Sequence, residues 1–392
     1  MNSLRDRGIS LICRFLSHLS PHQPLGDFPL QTVDSVLILK PCCLGDVLMS
    51  TPTIAALRIA LPQARIDFAV GPWARPMVEH NPNLNEIVDC GPVGSGRYRL
   101  RDFLTLVRRI KGQEYDVCFV LDRSPLISLL PFLAGIRHRV GLDSQGRGFS
   151  LTVRVPVEGA KHEAELYLDT VRAVGIEPFD PKLEFHPSLE DRTIVDRLMR
   201  EAGYQELDAK RSISSVWPPI VVIHPAGGKN PGMELTAKRW PPQRFAAVGD
   251  RLMEEKKAQV ILVGGPSDVA IAQSVLDSMK HQPWDLTGRL TLGQLGVLLQ
   301  RCHLFIGNDT GAMHLAGAVG TPTVAIFGPS DPGMYGPYGQ TGIPLWHDVG
   351  CNPCFVAGHA RSDCHPALCI EAVSIDEVYQ ATERLLNKTR GS

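Results

Sequence analysis

The chain contains no apolar run approaching the roughly 20 residues that a membrane-spanning helix requires, so it does not read as an integral helical membrane protein. It also has almost no net charge. Forty basic side chains stand against 41 acidic ones, a formal value of -1, which removes the global electrostatic footprint of a nucleic-acid binder. A convincing export signal is missing: Arg14, Ser17 and His18 interrupt the apolar residues between Ile9 and Leu19, and no small-residue cleavage site follows. Without export, the ten cysteines are not expected to form a disulfide framework, and a cytoplasmic location is expected. No glycine turn has the GxGxxG dinucleotide pattern or the P-loop pattern, which weakens ordinary dehydrogenase and kinase readings.

What is present is an α/β pattern. The 44% apolar and 21% charged content is that of a globular protein, and 392 residues exceed one ordinary core. Short apolar strands alternate with amphipathic helices in two successive halves. In the first, strands are expected at Val36 to Leu39, Ile66 to Val70, Glu86 to Val88, Val117 to Leu121, Arg139 to Leu142 and Val153 to Val155. One helix should run from Val47 to Ala60 and another from Glu163 to Val174. In the second half, Ile220 to His224 and Gln259 to Val263 read as strands, and Thr291 to Gln300 reads as a helix. The pattern predicts two Rossmann-like, doubly wound domains facing each other across a cleft. Expected boundaries are 1–32 for an N-terminal extension, 33–187 for the first domain, 188–219 for a linker region, 220–350 for the second domain, and 351–392 for a cysteine-containing loop and last helix.

The densest chemistry lies at Leu304 to Pro329, read as strand, polar loop, short helix and strand. Asn308-Asp309-Thr310-Gly311 falls where the strand ends and the helix begins. Free backbone N–H groups and the positive end of a helix dipole meet there, which suits an anion. As an isolated motif it is only a cap and a turn, with Asp309 or Thr310 as the cap. His314, one turn in, can lean back toward the same anion. A second glycine-rich loop, His224 to Met233, contains Gly227 and can wrap a ligand. Lys238 and Arg239, at the start of the next helix, can reach phosphates. After the first strand, Lys40-Pro41-Cys42-Cys43-Leu44-Gly45-Asp46 places a carboxylate at a helix start. Asp46 is then either an N-cap or a general base, and Lys40 either pairs with it or orients an anionic acceptor. Cys42 and Cys43 are candidate nucleophiles without evident His or Asp partners.

Five motifs, in order, resemble those of glycosyltransferase family 9, which contains the lipopolysaccharide heptosyltransferases. They are Leu44-Gly45-Asp46-Val47 with Thr51-Pro52; Ala134-Gly135-Ile136-Arg137-His138-Arg139-Val140-Gly141; Lys238-Arg239-Trp240-Pro241; Gly307-Asn308-Asp309-Thr310-Gly311 with His314; and Gly328-Pro329-Ser330-Asp331-Pro332. The similarity runs from about Val33 to Leu386. It implies a GT-B fold and an inverting, metal-independent transfer of heptose from ADP-heptose. The implied acceptor is a lipid-linked glycan, the Kdo or heptose inner core, on the cytoplasmic face of the inner membrane. It also implies Asp46 as base, Lys238 on the donor phosphates, Asp309 on donor sugar hydroxyls, and Thr310, Gly311 and His314 on the diphosphate. Gly227, Gly265 and Asp268 are further donor-side candidates, and Lys40, Gly45 and His162 are acceptor-side candidates. The sequence has no Asp-x-Asp pair to hold a metal clamp, so no cofactor is required, and cationic side chains must meet the leaving diphosphate.

Two segments lie outside this pattern. Before Val33, Leu4, Leu11, Ile12, Phe15 and Leu19 recur at near-helical spacing, with Arg5, Arg7 and Arg14 off the stripe. A basic amphipathic helix on an anionic membrane and a short helix packed on the protein, or a frayed extension, fit this equally. Cys351, Cys354, Cys364 and Cys369, with His359 and His365 as substitutes, make either a structural metal site or a loop of reduced thiols.

Overall fold

The computed structural model describes residues 4–19, 28–95, 99–204, 218–339, 342–355, 364 and 367–391. The chain divides into two compact units, Met1–Lys182 and Leu183–Ser392.

In the first unit, helix α1 (Leu4–Leu19) precedes strand β1 (Ser35–Leu39). Then follow α2 (Leu44–Met49), α3 (Thr51–Ala60), β2 (Arg65–Val70), β3 (Glu86–Asp89), α4 (Leu100–Lys111), β4 (Val117–Val120), α5 (Pro125–Leu133), β5 (His138–Asp143), β6 (Val153–Pro156) and α6 (Glu163–Arg172). The six strands pair in the order β3-β2-β1-β4-β5-β6, all parallel. Central strands buried on both faces read as continuous apolar runs, as Val36 to Leu39 and Val117 to Val120 do. α4 covers one face through Phe103, Leu106, Val107 and Ile110, a spacing that keeps all four on one stripe. Its last turn carries Arg108, Arg109 and Lys111, which suit the negative end of the helix.

The second unit opens with α7 (Leu189–Glu201) and continues through β7 (Ile220–His224), the short hairpin β8 (Lys229–Asn230) and β9 (Met233–Glu234), α8 (Pro242–Lys256), β10 (Gln259–Leu262), α9 (Val269–Leu276) and β11 (Trp284–Asp285). It finishes with α10 (Leu292–Gln300), β12 (Leu304–Asn308), α11 (Gly311–Ala318), β13 (Thr323–Ile326), α12 (Pro332–Tyr335), β14 (Gly342–Leu345), α13 (Leu368–Glu371) and α14 (Ile375–Gly391). Its main sheet has the order β11-β10-β7-β12-β13-β14, the same winding as the first. In both sheets the chain reverses direction beside the first strand, so each switch point lies between that strand and the fourth. Among the described residues no helix is long and apolar enough to cross a membrane.

Several local expectations change. The single helix expected from Val47 to Ala60 is two helices meeting at Ser50, because Pro52 sits in the first turn of α3 and cannot extend a hydrogen-bonded ladder through it. α5 had no counterpart in the sequence reading. Pro125 stands at its N-terminus, where a missing N–H costs nothing, and Pro131 falls in its last turn. The 188–219 region does begin with the helix that the sequence predicts over Ser188 to Ala202: α7 packs on α10 and starts with a reciprocal Ser188–Asp191 capping box. Residues 205–217 of that region lie outside the described residues. The N-terminal segment is a helix seated on the first unit: Cys13 is buried, Arg147 donates to the Ser10 hydroxyl, and Arg154 donates to the Ser17 hydroxyl.

Candidate active site

Each unit carries a charged cluster at the carboxyl ends of its strands, beside its switch point. In the first unit, β1 is followed by Lys40, and β4 by Leu121 and Asp122. The parallel pairing of β1 with β4 brings these two chain ends together. The Lys40 ammonium lies 3.5 Å from an Asp46 oxygen and 3.5 Å from an Asp122 oxygen. Asp46 is not the helix cap: Cys43 holds that position and Asp46 stands in the first turn of α2, with its carboxylate toward Lys40. Lys40 is buried and lies 5.6 Å from the centre of the Tyr167 ring. Burial works against its charge, yet Asp46, Asp122 and Glu163 outweigh burial and raise its pKa, with Arg123 opposing. Lys40 therefore stays an ammonium. The Tyr167 hydroxyl is pushed well up by burial first, then by Asp46 and Glu163, so it remains protonated.

Beside this trio, Arg123 and buried Glu163 pair at 2.5 Å. Two acids thus share one lysine, and Asp46 is the more exposed of the two. His162 caps α6, its ring nitrogen accepting from the Ala164 N–H at 3.2 Å. Gly45 lies within α2, next to Asp46. Cys42 and Cys43, expected as thiols, are joined to each other as a disulfide. This corrects the nucleophile candidacy, and the bridge is local to one loop.

The second unit's cluster is built around Asn308, the last residue of β12. Fully buried, it accepts from the Trp240 N–H at 3.0 Å and donates to the Pro225 and Ala226 carbonyls at 2.9 and 3.0 Å. It thereby ties the loop after β7, the entry to α8 and the end of β12 to one point. Trp240, also fully buried, donates through its ring to the Val373 carbonyl. Asn308→Ala strands an N–H and two carbonyls in the interior. The expected loss is about 3 kcal/mol, read as a lower thermal or urea midpoint. An unshifted midpoint would contradict the hub.

On this frame Lys238 and Asp309 pair at 2.5 Å, both largely buried, and the Lys238 ammonium stands 4.3 Å from the centre of the Phe355 ring. Phe355 is held there because its N–H and that of Cys354 both donate to the Pro329 carbonyl. Arg239, the alternative phosphate cation, is committed elsewhere: it donates to the Gly227 carbonyl at 2.8 Å and pairs with Glu234. Gly227 has φ +123°, and a Cβ there would run into the Thr310 methyl. Thr310 is the N-cap of α11 by backbone only. Its side chain makes no capping bond, and its buried hydroxyl has no hydrogen-bond partner among the described residues. The N–H groups of Met313 and His314 close on the Thr310 carbonyl, which leaves those of Gly311 and Ala312 at the open end of the helix. His314 is buried in the same first turn.

Gly265 and Asp268 sit at the end of neighbouring β10. An Asp268 oxygen accepts from the Gly265 N–H at 2.8 Å, so this carboxylate closes its own turn. Burial lowers the pKa of His224, at the end of β7, and Asp268 opposes that shift. The structure thus gathers Lys238, Asp309, Thr310, Gly311, His314 and Gly227 into one cluster, with Gly265 and Asp268 at the adjoining strand end. Asn308 was read only as part of its loop, and Phe355 and Asp122 were not picked out as site residues. Asp122 was signalled only by its place just after a strand.

Among the described residues no group of three or more His, Cys, Asp or Glu side chains could hold a metal ion. The metal-site candidates Cys351, Cys354, Cys364 and Cys369 are therefore not assembled as one. Cys351 is exposed, while Cys369 is buried, and burial first, then Cys364, pushes its thiol up to about 11. His359 and His365 lie outside the described residues.

Comparison with solved structures identifies the fold class. A family 9 glycosyltransferase from Veillonella parvula DSM 2008 superposes with a TM-score of 0.77 at 24% identity, over 91% of this chain and 98% of that one. The E. coli ADP-heptose lps heptosyltransferase II superposes with a TM-score of 0.67 at 23% identity, over 90% and 99%. Two Rossmann-like units of this winding make a GT-B fold. The model of glycosyltransferase family 9 (heptosyltransferase) matches residues 103–365. Lipopolysaccharide heptosyltransferase 2 of Escherichia coli (strain K12) is 31% identical over 305 residues, 76% of this chain and 83% of that protein. The chain belongs to glycosyltransferase family 9.

Proposed function

We propose that this glycosyltransferase moves heptose from ADP-heptose to a Kdo or heptose residue of the lipopolysaccharide inner core, with inversion and without a metal. The observation that carries the reading is the Lys238–Asp309 pair beside the N-terminus of α11, at the switch point of the second unit. Lys238 and the helix end supply positive charge for a departing diphosphate. Asp309 carries the opposite charge, suits sugar hydroxyls, and is unsuited to phosphate. The names of the family and of its E. coli relative favour heptose among nucleotide-activated sugars.

The step is a single displacement. Asp46 takes the proton of the acceptor hydroxyl, the oxygen forms a bond to the anomeric carbon, and the bond from that carbon to the diphosphate breaks with its electron pair on the diphosphate. Lys40, shared with Asp122, keeps the Asp46 carboxylate oriented while that proton is transferred. A metal-free departure is supported by Lys238 and by the absence of an Asp-x-Asp pair from the sequence. The acceptor is lipid-linked, so the enzyme works on the cytoplasmic face of the inner membrane as a peripheral protein.

The test is nucleotide release from ADP-, UDP- and GDP-sugars, with and without inner-core acceptor. Acceptor-dependent release from ADP-heptose, unchanged by a chelator, with an inverted anomeric centre by NMR, is expected. Preference for a UDP- or GDP-sugar would replace the donor. Loss of activity with chelator would end the metal-free mechanism.

A further inference from the structure

α1 turns its apolar residues outward. Leu11, Ile12, Phe15 and Leu19 are 72%, 62%, 64% and 67% exposed. Their spacing places all four on one arc of the helix. Exposed Arg14 and His18 flank that arc on one side. The opposite side is fastened down. Cys13 and Ser10 are buried, the Arg154 guanidinium donates to the Ser17 carbonyl at 3.0 Å and to its hydroxyl at 2.6 Å, and Arg147 reaches Ser10. Gly146, at φ +80°, lies so close that a Cβ would come within 2.8 Å of the Arg14 backbone. The helix is therefore held with its apolar arc toward solvent, the reverse of what burial of a core face would give.

The same turn carries a second apolar face. Ser128 of α5 donates to the Arg147 carbonyl at 2.9 Å, and the Ser150 hydroxyl donates to the Ser128 carbonyl at 2.7 Å. On α5, Leu126, Phe132 and Leu133 are 43%, 52% and 42% exposed. The Arg139 guanidinium stands 5.3 Å from the Phe132 ring centre, and Arg137 is exposed next to it. α5 starts three residues after Asp122, so its whole length of about 14 Å begins at the acid cluster.

We propose that the exposed faces of α1 and α5 dock on an anionic lipid surface. Large side chains on an arc flanked by cations are what an interfacial helix presents to acidic headgroups and the acyl boundary. A second copy of this chain is disfavoured as occupant, because a two-fold contact would gather the Arg14 and Arg137 cations of both copies into one interface. The choice of occupant rests on the reading above that the acceptor is lipid-linked: a surface starting beside Asp122 would bring the acid cluster to a sugar anchored in the bilayer.

The test uses the full chain with vesicles of phosphatidylethanolamine containing about one third phosphatidylglycerol, and with phosphatidylcholine vesicles. The wild type should float with the anionic vesicles and far less with the neutral ones. Ile12→Glu with Phe15→Glu should weaken anionic binding by about tenfold or more at an unchanged unfolding midpoint. Transfer to a delipidated acceptor should be unaffected, and transfer to vesicle-embedded acceptor should fall. No anionic vesicle binding, or equal binding by the variant, overturns the proposal. So does a wild-type dimer that the variant dissociates without any vesicle binding. Vesicle binding lost in the variant, with no heptose transfer to either acceptor in the wild type, would overturn the proposed reaction and uphold the docking surface.

Discussion

Asp46→Asn should lower kcat by roughly a thousandfold while donor affinity stays within about twofold of the parent. The substitution keeps the volume and polarity of the side chain and removes only its ability to take a proton. It should not disturb α2, because Asp46 makes no capping bond there and Cys43 holds the cap position. Nor does it leave Lys40 without a counter-ion, since Asp122 lies at the same 3.5 Å. An unchanged unfolding midpoint with collapsed turnover is therefore the signature of a base. Asp122→Asn is the control. It removes the other acid from Lys40 and should cost far less, chiefly by loosening how Asp46 is held. Near-normal turnover in Asp46→Asn would remove this residue from the chemical step.

Lys238→Ala should have two separable effects. Donor affinity should fall about tenfold to a hundredfold, the worth of a charge-assisted contact to a desolvated phosphate. Stability should also fall, by about 3 kcal/mol, because Asp309 is left as an unpaired carboxylate with its side chain only 6% exposed. Adding Asp309→Asn removes that stranded charge. The double variant should regain most of the lost stability and none of the lost donor affinity. Calorimetric titration with ADP-heptose and thermal unfolding on the same preparations check both. Donor affinity unchanged in the single variant would refute a phosphate role for Lys238.

Most strands were legible because parallel sheets buried on both faces read as bare apolar runs, as in Val36 to Leu39 and Leu304 to Ile306. Helices with a clean stripe and capping signals, such as α10 with its Thr291–Gln294 box, were equally plain. Where local chemistry has two solutions, the sequence left both open. Asp46 fits a cap and a base equally well until the direction of its carboxylate is known. Thr310 and Asp309 were both candidate caps of α11; Thr310 takes the N-cap position, by its backbone and without a side-chain capping bond, while Asp309 turns to Lys238. α5 was missed because its proline positions obscure a helical period that the first and last turns tolerate.

The sequence by itself determined the two-unit α/β architecture, because strand period, helix period and turn residues are local signals, and its five motifs carried the resemblance to the family. Only the tertiary structure decided which charges meet. Lys40 finds Asp122 across 82 residues because parallel pairing sets the ends of β1 and β4 side by side, and Lys238 finds Asp309 across 71 because Asn308 ties the entry of α8 to the end of β12. It also decided that Arg239 is spent on the Gly227 loop, and that the apolar arc of α1 faces outward. Pairing partners and outward faces depend on which surfaces the packed sheets leave open, and no local period encodes that.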